Sequence, residues 1–538
     1  MINVPVLIAG GGPVGLTLAI CLSFRGVRCM LVERNGTTTT HPKMDRTNSR
    51  TMELFRVLGI ADTLRQVAVP QDHPGDVSWI TSMAGQELCR FRYPSVIEMR
   101  ERIRAVNDGT QPLEPTMRVS QVEIEPVLKA RAEQSPLADV RFGTALEDLE
   151  QDATGVTAVI RSSDGSTESV RCQFLAGCDG GNSTVRTRLD ISMSGKWRIM
   201  PRYMVHFRSD ARDILERWGR AWHHQSNRGT LISQNGHDIW TLHARFPDGV
   251  APDEVNPSAL IEGFAGCSFP HEILVANAWS PHLVVADSYR AGRVFLAGDA
   301  AHQYIPTGGY GMNTGVGDAF DLGWKLAAVV QGIGGSRLLD SYEAERRPIG
   351  QRNCEASQRH NDIRVAIAKL YGPLLHDKNT EDPQALDAVR DGIIALGDAE
   401  NASNGIEYGY SYGTSPVICH EPGAILPDDP VIYRPTTIPG ARLPSVFLDD
   451  GAALFDLLGP WFTLIVLEDG PAEVMMEAAA RLSLPVKLLP VRDSTAAAVY
   501  RTPALLVRPD HHIAWRGALP LTFDEASSIL SCIFGRDV

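Results

Sequence analysis

The chain has 538 residues, of which 43% are hydrophobic and 21% charged, and its formal net charge is −13. This length exceeds a single hydrophobic core, so we expect two or three domains of ordinary globular composition. The acidic balance argues against nucleic acid or an anionic membrane surface as a partner and favours a small molecule. Nine scattered cysteines without C-x-x-C spacing predict neither a disulfide framework nor a zinc site, which fits the cytoplasm.

A glycine-rich turn follows the first predicted strand, at 5–9, and opens a helix predicted over 16–25. Its glycines allow a tight turn, close approach to a pyrophosphate and close packing of helix on strand, while the helix N-terminus attracts phosphate. A second strand, at 29–32, ends at Glu33, which can accept hydrogen bonds from a ribose diol. The order predicts a dinucleotide site, although FAD and NAD share the fingerprint. The residues assigned to this site are Gly10, Gly12, Pro13, Val14, Gly15, Glu33 and Arg34.

A locally basic segment comes next, with Lys43, Arg46 and Arg50 at the start of a predicted helix. In an acidic chain this concentration beside a dinucleotide site indicates phosphate contacts, and the alternative is a solvated helix start. Further on, Gln121 precedes a helical stretch and is either a cap or a ligand contact.

Two more glycine-loosened turns carry an aspartate. The first, Cys178-Asp179-Gly180, follows a predicted β-meander over 140–175 and leads into a helix. The second begins at Gly298-Asp299 and runs into the helix-like stretch 318–330. Backbone N–H groups at its helix start can stabilise the negative charge that a flavin ring gathers on reduction. The residues assigned to this loop are Asp299, Pro306, Gly309, Tyr310, Gly311, Met312 and Asn313.

A β-rich segment over 194–279 holds five of the nine tryptophans, at 197, 218, 222, 240 and 279. Such a concentration suits a pocket for a flat apolar ligand, and it equally suits a sheet core. Alternation along 239–243 places Trp240 and Leu242 on one face. We expect these two residues, with Asp45 and Tyr310, to line a pocket against the loop 306–311. The pairs His223-His224 and His511-His512 lack a third ligand at zinc spacing, so no metal site is expected.

The C-terminal part has its own pattern. A helical region over 341–375 is followed by a polar stretch, 377–404, that reads as a loop. From 444 onward the order is strand 462–467, helix 472–482, strand 486–491, strand 504–507, strand 513–515 and helix 523–534. This is a thioredoxin-like order, but no cysteine follows the first strand, which excludes dithiol chemistry. We expect the unit to serve packing or assembly, with a homodimer as the candidate assembly.

With these motifs in sequence, the chain resembles the single-component FAD-dependent aromatic hydroxylases, the group typified by para-hydroxybenzoate hydroxylase. The first glycine fingerprint with Glu33, the Asp179 motif and the Gly298-Asp299 motif carry the resemblance, which covers nearly the whole length. Gln121 and Pro306 match residues that contact the flavin. The thioredoxin-like unit without redox cysteines is similar to the phenol hydroxylase and polyketide-tailoring branch.

The resemblance implies an α/β and α+β architecture in which a β-sheet substrate domain interrupts a Rossmann-like FAD domain. The FAD domain is assigned to 1–70, 116–190 and 285–400, the substrate domain to 71–115 and 191–284, a linker to 401–443 and the thioredoxin-like domain to 444–538. One noncovalent FAD is expected. NADPH or NADH is expected to bind in a surface groove, because the chain has no second G-x-G-x-x-G after a strand.

The implied chemistry is hydroxylation of a phenolic ring through a hydroperoxyflavin, with water kept out of the site. Met44-Asp45-Arg46 stands before Arg50-Thr-Met-Glu53 where phenol hydroxylases carry an aspartate near the substrate. Asp45, Tyr310 and Pro306 are therefore the catalytic candidates. Two alternatives stay open: an Asp45–Arg46 ion pair that only orders the loop, and a flavoprotein that shelters an aromatic intermediate without hydroxylating it. A nicotinamide dehydrogenase would leave the second and third motifs unexplained, and a halogenase would need W-x-W-x-I-P, which is absent.

Overall fold

The computed structural model describes residues 1–246, 250–372, 382–468 and 471–537. Three sheets organise these residues into an N-terminal α/β domain, a middle β domain inserted in it and a C-terminal α/β domain. In this part of the chain, no helix combines the length and the apolar content needed to cross a membrane.

The sheet of the N-terminal domain is parallel at its centre. Ile2–Ala9 pairs in parallel with Cys29–Glu33 on one side and with Thr167–Gly177 on the other. Helix Pro13–Phe24 crosses between the first two strands and buries both faces, because its sequence is apolar all round. The strands of this sheet, in spatial order, are Arg290–Ala291, Val294–Leu296, Thr167–Gly177, Ile2–Ala9, Cys29–Glu33 and Ala138–Phe142, with Val156–Ser162 and Thr144–Gln151 forming a meander at its side.

Two long helices join this domain to the rest of the chain. Tyr310–Val330 packs on Pro13–Phe24, and Ser336–Leu370 packs on Tyr310–Val330 and extends to the middle domain. The remaining helical segments of the domain are Ser49–Val57, Ala61–Gln66, Gln121–Glu133, Thr184–Arg188, Gly298–Ala300, Pro383–Leu396 and Asn404–Glu407. Two small sheets complete it: Met193–Lys196 with Leu283–Ala286 and His302–Gln303, and Arg46–Thr47 with Met117–Arg118.

The polar stretch 377–404 is not a loop where the structure describes it. Residues 377–381 lie outside the described part, and Asp382 caps the helix Pro383–Leu396 by accepting from the Gln384 N–H. Leu386, Val389 and Ile393 recur at helical spacing and bury one face against Ile367 and Tyr371. The abundance of charged residues on the opposite face hid this amphipathic helix from a composition-based interpretation.

The middle sheet has seven strands, and helix Pro257–Ala265 covers one of its faces with an apolar core. Its strands, in spatial order, are Glu272–Trp279, Arg202–Arg208, Ile239–Arg245, Gly229–Ser233, His223–Ser226, Val77–Ile80 and Glu87–Phe91. Its other helices are Val96–Val106 and Arg212–Leu215. Because both segments 77–91 and 202–279 contribute strands, the domain is discontinuous in sequence.

The C-terminal sheet has the order Val486–Pro490, Phe462–Val466, Ala504–Val507 and Ile513–Gly517, with the first pair parallel and the others antiparallel. Helices Glu473–Arg481 and Phe523–Ile533 pack together. The sequence pattern did not predict helix Ser494–Tyr500, which starts at the cap Asp493. The short helical segment Leu454–Leu457 precedes the first strand.

Candidate active site

The glycine turn after the first strand borders a cavity of about 400 Å³. A Cβ on Gly10, where φ is +109°, would lie 2.2 Å from the carbonyl oxygen of Cys178, and one on Gly15 would lie 2.0 Å from the carbonyl oxygen of Gly10. A Cβ on Gly12 would meet nothing within 4 Å. Gly10 and Gly15 thus permit tight protein packing, whereas Gly12 keeps its side of the backbone open to the cavity.

The cavity wall combines acidic and basic side chains. Glu33 accepts a hydrogen bond from the Gly11 N–H at 2.7 Å and also bonds Asn35, so its carboxylate is fixed at the end of the second strand. Asp179 accepts from the Ser183 hydroxyl at 2.5 Å and the Val185 N–H at 3.1 Å, which caps a short helix. The lining also includes Arg34, Lys43, Asp299 and Gln303.

The third glycine turn ends at the N-terminus of the 21-residue helix Tyr310–Val330. Gly309 adopts a φ of +67° at the cap, and a Cβ on Gly311 would meet nothing within 4 Å. The first-turn N–H groups, including those of Met312 and Asn313, have no partner within the helix. Asn313 also ties the loop to the basic segment, because its side chain accepts from the Asn48 N–H and donates to the Arg46 carbonyl.

These residues fit a flavin dinucleotide. An open glycine at a helix N-terminus, a carboxylate at the end of the next strand and cationic side chains at the rim are the groups that bind a pyrophosphate and a ribose. A second helix N-terminus with an open glycine supplies donors for an electron-rich ring edge. Gly12, Glu33, Arg34, Lys43 and Asp299 would hold the dinucleotide.

Two of the basic residues form ion pairs within the protein. Arg46 is buried and its Nη2 pairs with Glu407 at 2.5 Å, while Arg50 pairs with Glu53 and reaches the Asp510 carbonyl. Each of the two arginines thus has a carboxylate partner within the protein, and their expected phosphate contacts stay a prediction. The same finding removes the alternative of an Asp45–Arg46 ion pair.

Asp45 instead lies against the middle domain. Its carboxylate accepts a hydrogen bond from the Trp222 indole Nε1 at 2.5 Å, and His223 Nε2 lies 3.9 Å from the same oxygen. Trp222 is itself flanked by Arg46 and Arg118, each 5.5 Å from its ring centre. Burial raises the pKa of Asp45, whereas Arg118 and the Trp222 hydrogen bond act in the opposite direction.

The face of the middle sheet toward Asp45 is polar. Strand register aligns Asn277, Met204, His243, Thr230 and Gln225 in one row across the sheet. The adjacent row on the same face contains His206, Thr241, Ile232 and His223. His41, from the segment before Asp45, bonds Asn277 at 2.8 Å, so this segment faces the polar surface.

Trp240 and Leu242 lie on the opposite face. Both are almost fully buried in the core cluster beneath helix Pro257–Ala265, and the Trp240 indole donates to the Ser209 carbonyl. The expected alternation along this strand is present: Trp240 and Leu242 point to the core, whereas Thr241 and His243 point to the face that Asp45 lies against. This corrects the expectation that Trp240 and Leu242 bind substrate, since large apolar residues on a two-faced sheet usually form the core.

Tyr310 and Gln121 also have partners inside the protein. The buried Tyr310 hydroxyl bonds His360 Nε2 at 2.9 Å, which packs the loop on helix Ser336–Leu370. Its ring lies in a core cluster with Ala356 and Ile406, so Tyr310 packs the loop, and its expected catalytic contact stays a prediction. Gln121 begins its helix and donates to Glu125 at 2.7 Å. Pro306, in contrast, is exposed at the surface of the loop.

Sequence reasoning missed Trp222, His223 and Glu407. Trp222 was counted only among the tryptophans of the β-rich segment, and His223 only as half of a histidine pair that lacks a third metal ligand. The available signal was the Asp45 carboxylate itself. A carboxylate in a folded protein needs hydrogen-bond donors, and these can come from a distant segment of the chain.

The fold and this cavity define a dinucleotide-binding flavoprotein with an inserted β-sheet domain. Comparison with known families agrees: residues 3–357 match the FAD binding domain and residues 436–536 match the aromatic-ring hydroxylase C-terminal domain. The chain belongs to the family of FAD-dependent aromatic-ring hydroxylases.

Similar proteins cover the whole length. The chain is 37% identical to the FAD-dependent monooxygenase apdD of Emericella nidulans, over 99% of this chain and 90% of that protein. It is 33% identical to the 4-methyl-5-nitrocatechol 5-monooxygenase of a Burkholderia species, over 96% and 94% of the two chains. Among solved structures, the flavin-dependent monooxygenase PieE in complex with FAD and substrate superposes with a TM-score of 0.89, 29% identity and full coverage of both chains.

Proposed function

We propose that this chain is a monooxygenase that uses NADPH or NADH and dioxygen to hydroxylate a phenolic ring. The observation that carries the proposal is the position of Asp45. Its carboxylate is held by Trp222 at the boundary between the cofactor loops and the polar face of the middle sheet. A carboxylate in this position can accept the phenol proton, which makes the ring a stronger nucleophile.

FAD, once reduced and exposed to dioxygen, supplies an electrophilic oxygen atom. The chain's own residues perform the other tasks. The N-terminus of helix Tyr310–Val330 offers N–H donors to the ring of the cofactor, and the Asn313 side chain fixes that turn to the Arg46 segment. The buried contacts of Tyr310 with His360 close the loop against helix Ser336–Leu370 and help to exclude water.

The nicotinamide cofactor is proposed to approach along the cavity that Asp179 and Lys43 border. Arg46 and Arg50 pair with Glu407 and Glu53, so the proposal for this edge rests on Asp179 and Lys43. Lys43 is exposed and borders the FAD cavity, so its ammonium group can contact a phosphate of either cofactor, and Asp179 stands at the turn beside Gly180.

The test is substrate-stimulated oxidation of NADPH and NADH with identification of the product. A panel of phenols should include nitrocatechols, because a relative of this chain is named for a nitrocatechol. Hydroxylation predicts faster nicotinamide oxidation, a product one oxygen atom heavier and little hydrogen peroxide. If every compound in a broad panel yields only peroxide or no stimulation, the alternative of a sheltering flavoprotein replaces the proposal.

A further inference from the structure

His223 is a buried histidine beside Asp45, and one of its ring nitrogens has no hydrogen-bond partner in the described part of the chain. It is 7% exposed, and its Nε2 atom has no hydrogen-bond partner within the described residues. The same atom lies 3.9 Å from Asp45 Oδ2, too far for a direct hydrogen bond. A buried polar atom without a partner is unfavourable, so this nitrogen indicates a group that binds between it and the carboxylate.

The neighbours of His223 favour one tautomer of its neutral ring. The Gln225 side-chain amide lies 3.4 Å from Nδ1 and can donate to it, and the Trp222 ring packs on the imidazole with 4.1 Å between ring centres. With Nδ1 as acceptor, the neutral ring carries its proton on Nε2. His223 therefore offers an N–H donor toward the space beside Asp45.

Three arginines and one carboxylate lie near this imidazole. Burial and then the nearby cation Arg364 of helix Ser336–Leu370 hold the pKa of His223 well below its usual range. Arg118, His243 and Arg46 act in the same direction from three further segments, and Asp45 is the carboxylate that faces it. The imidazole is thus neutral near pH 7, and the surrounding guanidinium groups favour an anion in this space.

We propose that Asp45 and His223 bind one phenolic hydroxyl oxygen of the substrate from two sides, with Asp45 as acceptor and His223 Nε2–H as donor. The inference rests on the proposed function. An oxygen about 2.8 Å from each atom is compatible with their separation of 3.9 Å. When the phenol O–H bond breaks, its proton passes to the Asp45 carboxylate, the electron pair stays on the phenolic oxygen, and His223 donates to that oxygen while remaining neutral.

This two-sided site sets a requirement on the substrate. A ring without a hydroxyl group at this place leaves the buried His223 Nε2 without a partner and gives the Asp45 carboxylate no side-chain donor besides Trp222 among the described residues, which disfavours binding. A hydroxyl group satisfies the donor and the acceptor together. His223 is in this account a catalytic residue, because it contacts the reacting oxygen and stabilises its charge.

The test uses the oxidised holoenzyme and 4-nitrocatechol, whose phenolate absorbs visible light. A pH titration of the bound compound gives its pKa without NADPH or dioxygen. His223→Phe keeps a ring but removes the donor, and should raise the pKa of the bound compound by about one to two units, a tenfold to hundredfold loss of phenolate. His223→Gln retains an N–H near the Nε2 position and should restore most of the shift. His237→Phe, at an exposed histidine of the same domain, should leave the pKa unchanged.

Three results overturn the proposal: an equal pKa in wild type and His223→Phe, an equal effect in His237→Phe, or a bound compound whose pKa in the wild type is not lower than in free solution. FAD content and melting temperature are measured for each variant. If His223→Phe loses FAD, His223→Asn replaces it, because this shorter side chain does not reach the Nε2 position. The titration is independent of turnover, so a His223 effect without any hydroxylated product would contradict the proposed function and leave this site intact.

Discussion

Arg508, on the C-terminal domain, donates to both carboxylate oxygens of Glu345 on helix Ser336–Leu370, at 2.7 and 2.8 Å. Both residues are fully buried, and Asp321, Lys325 and Asp510 complete the cluster. Asp321 and Lys325 belong to helix Tyr310–Val330, whose N-terminus follows the third glycine turn. The C-terminal domain thus supports the helix whose N-terminal N–H groups we propose as donors to the flavin.

Breaking this cluster should destabilise the protein strongly. Arg508→Leu leaves Glu345 and Asp510 buried without their guanidinium partner, for which we expect a loss of about 3–5 kcal/mol in the free energy of unfolding. Arg481→Leu is the control, because Arg481 forms an exposed pair with Glu477 in the same domain and should cost at most about 1 kcal/mol. Denaturant titration of both variants measures the difference, and equal losses would contradict this role of the cluster.

Gly12→Asp should abolish FAD binding without unfolding the chain. The new side chain enters open space, because a Cβ at Gly12 meets no protein atom within 4 Å, but its carboxylate would repel the pyrophosphate. Gly36→Asp is the control, since Gly36 also has open space around it and lies on an exposed turn. Flavin absorbance per chain and circular dichroism check both variants. Full flavin content in Gly12→Asp would refute the cofactor assignment.

Asp45→Asn should slow hydroxylation and change its pH profile while FAD content stays intact. Asp45 can act as a base only when it is ionised, which is above its pKa. The hydroxylation rate should therefore fall as the pH drops through this pKa. Burial raises this pKa, so the acid limb of the wild-type profile should lie above the ordinary value of about 4. In Asp45→Asn the acid limb of the profile should move toward the pKa of the phenol itself, because the substrate must then ionise without this base. An unchanged profile removes Asp45 from the mechanism.

Trp222→Phe tests the donor that holds Asp45. The indole N–H stabilises the charged carboxylate, so its removal should raise the pKa of Asp45 further and shift the acid limb upward by about one unit. Trp218→Phe is the control, because the Trp218 indole donates to the Met83 carbonyl on the other side of the domain. Rate profiles from the same preparations compare the two. A shift in Trp218→Phe alone, or in neither variant, would contradict the assignment.

Asp179→Ala should slow reduction of the flavin by NADPH or NADH more than it weakens phenol binding. Asp179 borders the cofactor cavity and caps the helix Thr184–Arg188 through Ser183 and Val185. Ser183→Ala separates these roles, because it weakens the cap and keeps the carboxylate. Rapid-mixing reduction and phenol titration are measured on both variants, and equal effects of the two substitutions would assign Asp179 to the cap alone.

The glycine motifs could be predicted from sequence because the requirement for glycine at each position comes from the local backbone conformation and spacing. Gly10, Gly12 and Gly15 occupy the tight and open places that the motif requires, and Asp179 and Asp299 border the same cavity as Glu33. The C-terminal strands were also close to prediction, since short apolar runs between turns predict buried strands well.

The contacts between distant segments could not be predicted in this way. Asp45 meets Trp222 across 177 residues, and Arg46 meets Glu407 from a segment that sequence reasoning placed in a linker. Which face of the strand Ile239–Arg245 meets the ligand depends on what covers each face, and helix Pro257–Ala265 covers the apolar one. Alternation fixes the two faces but not their surroundings.

The most direct test of the proposed hydroxylation is turnover in isotopically labelled dioxygen. The holoenzyme, NADPH or NADH and an active phenol are incubated under labelled gas in ordinary water, and the product is analysed by mass spectrometry. The account predicts one labelled oxygen atom in each product molecule, and loss of most product in Asp45→Asn. A product that carries oxygen from water, or labelled peroxide without labelled product, would contradict it.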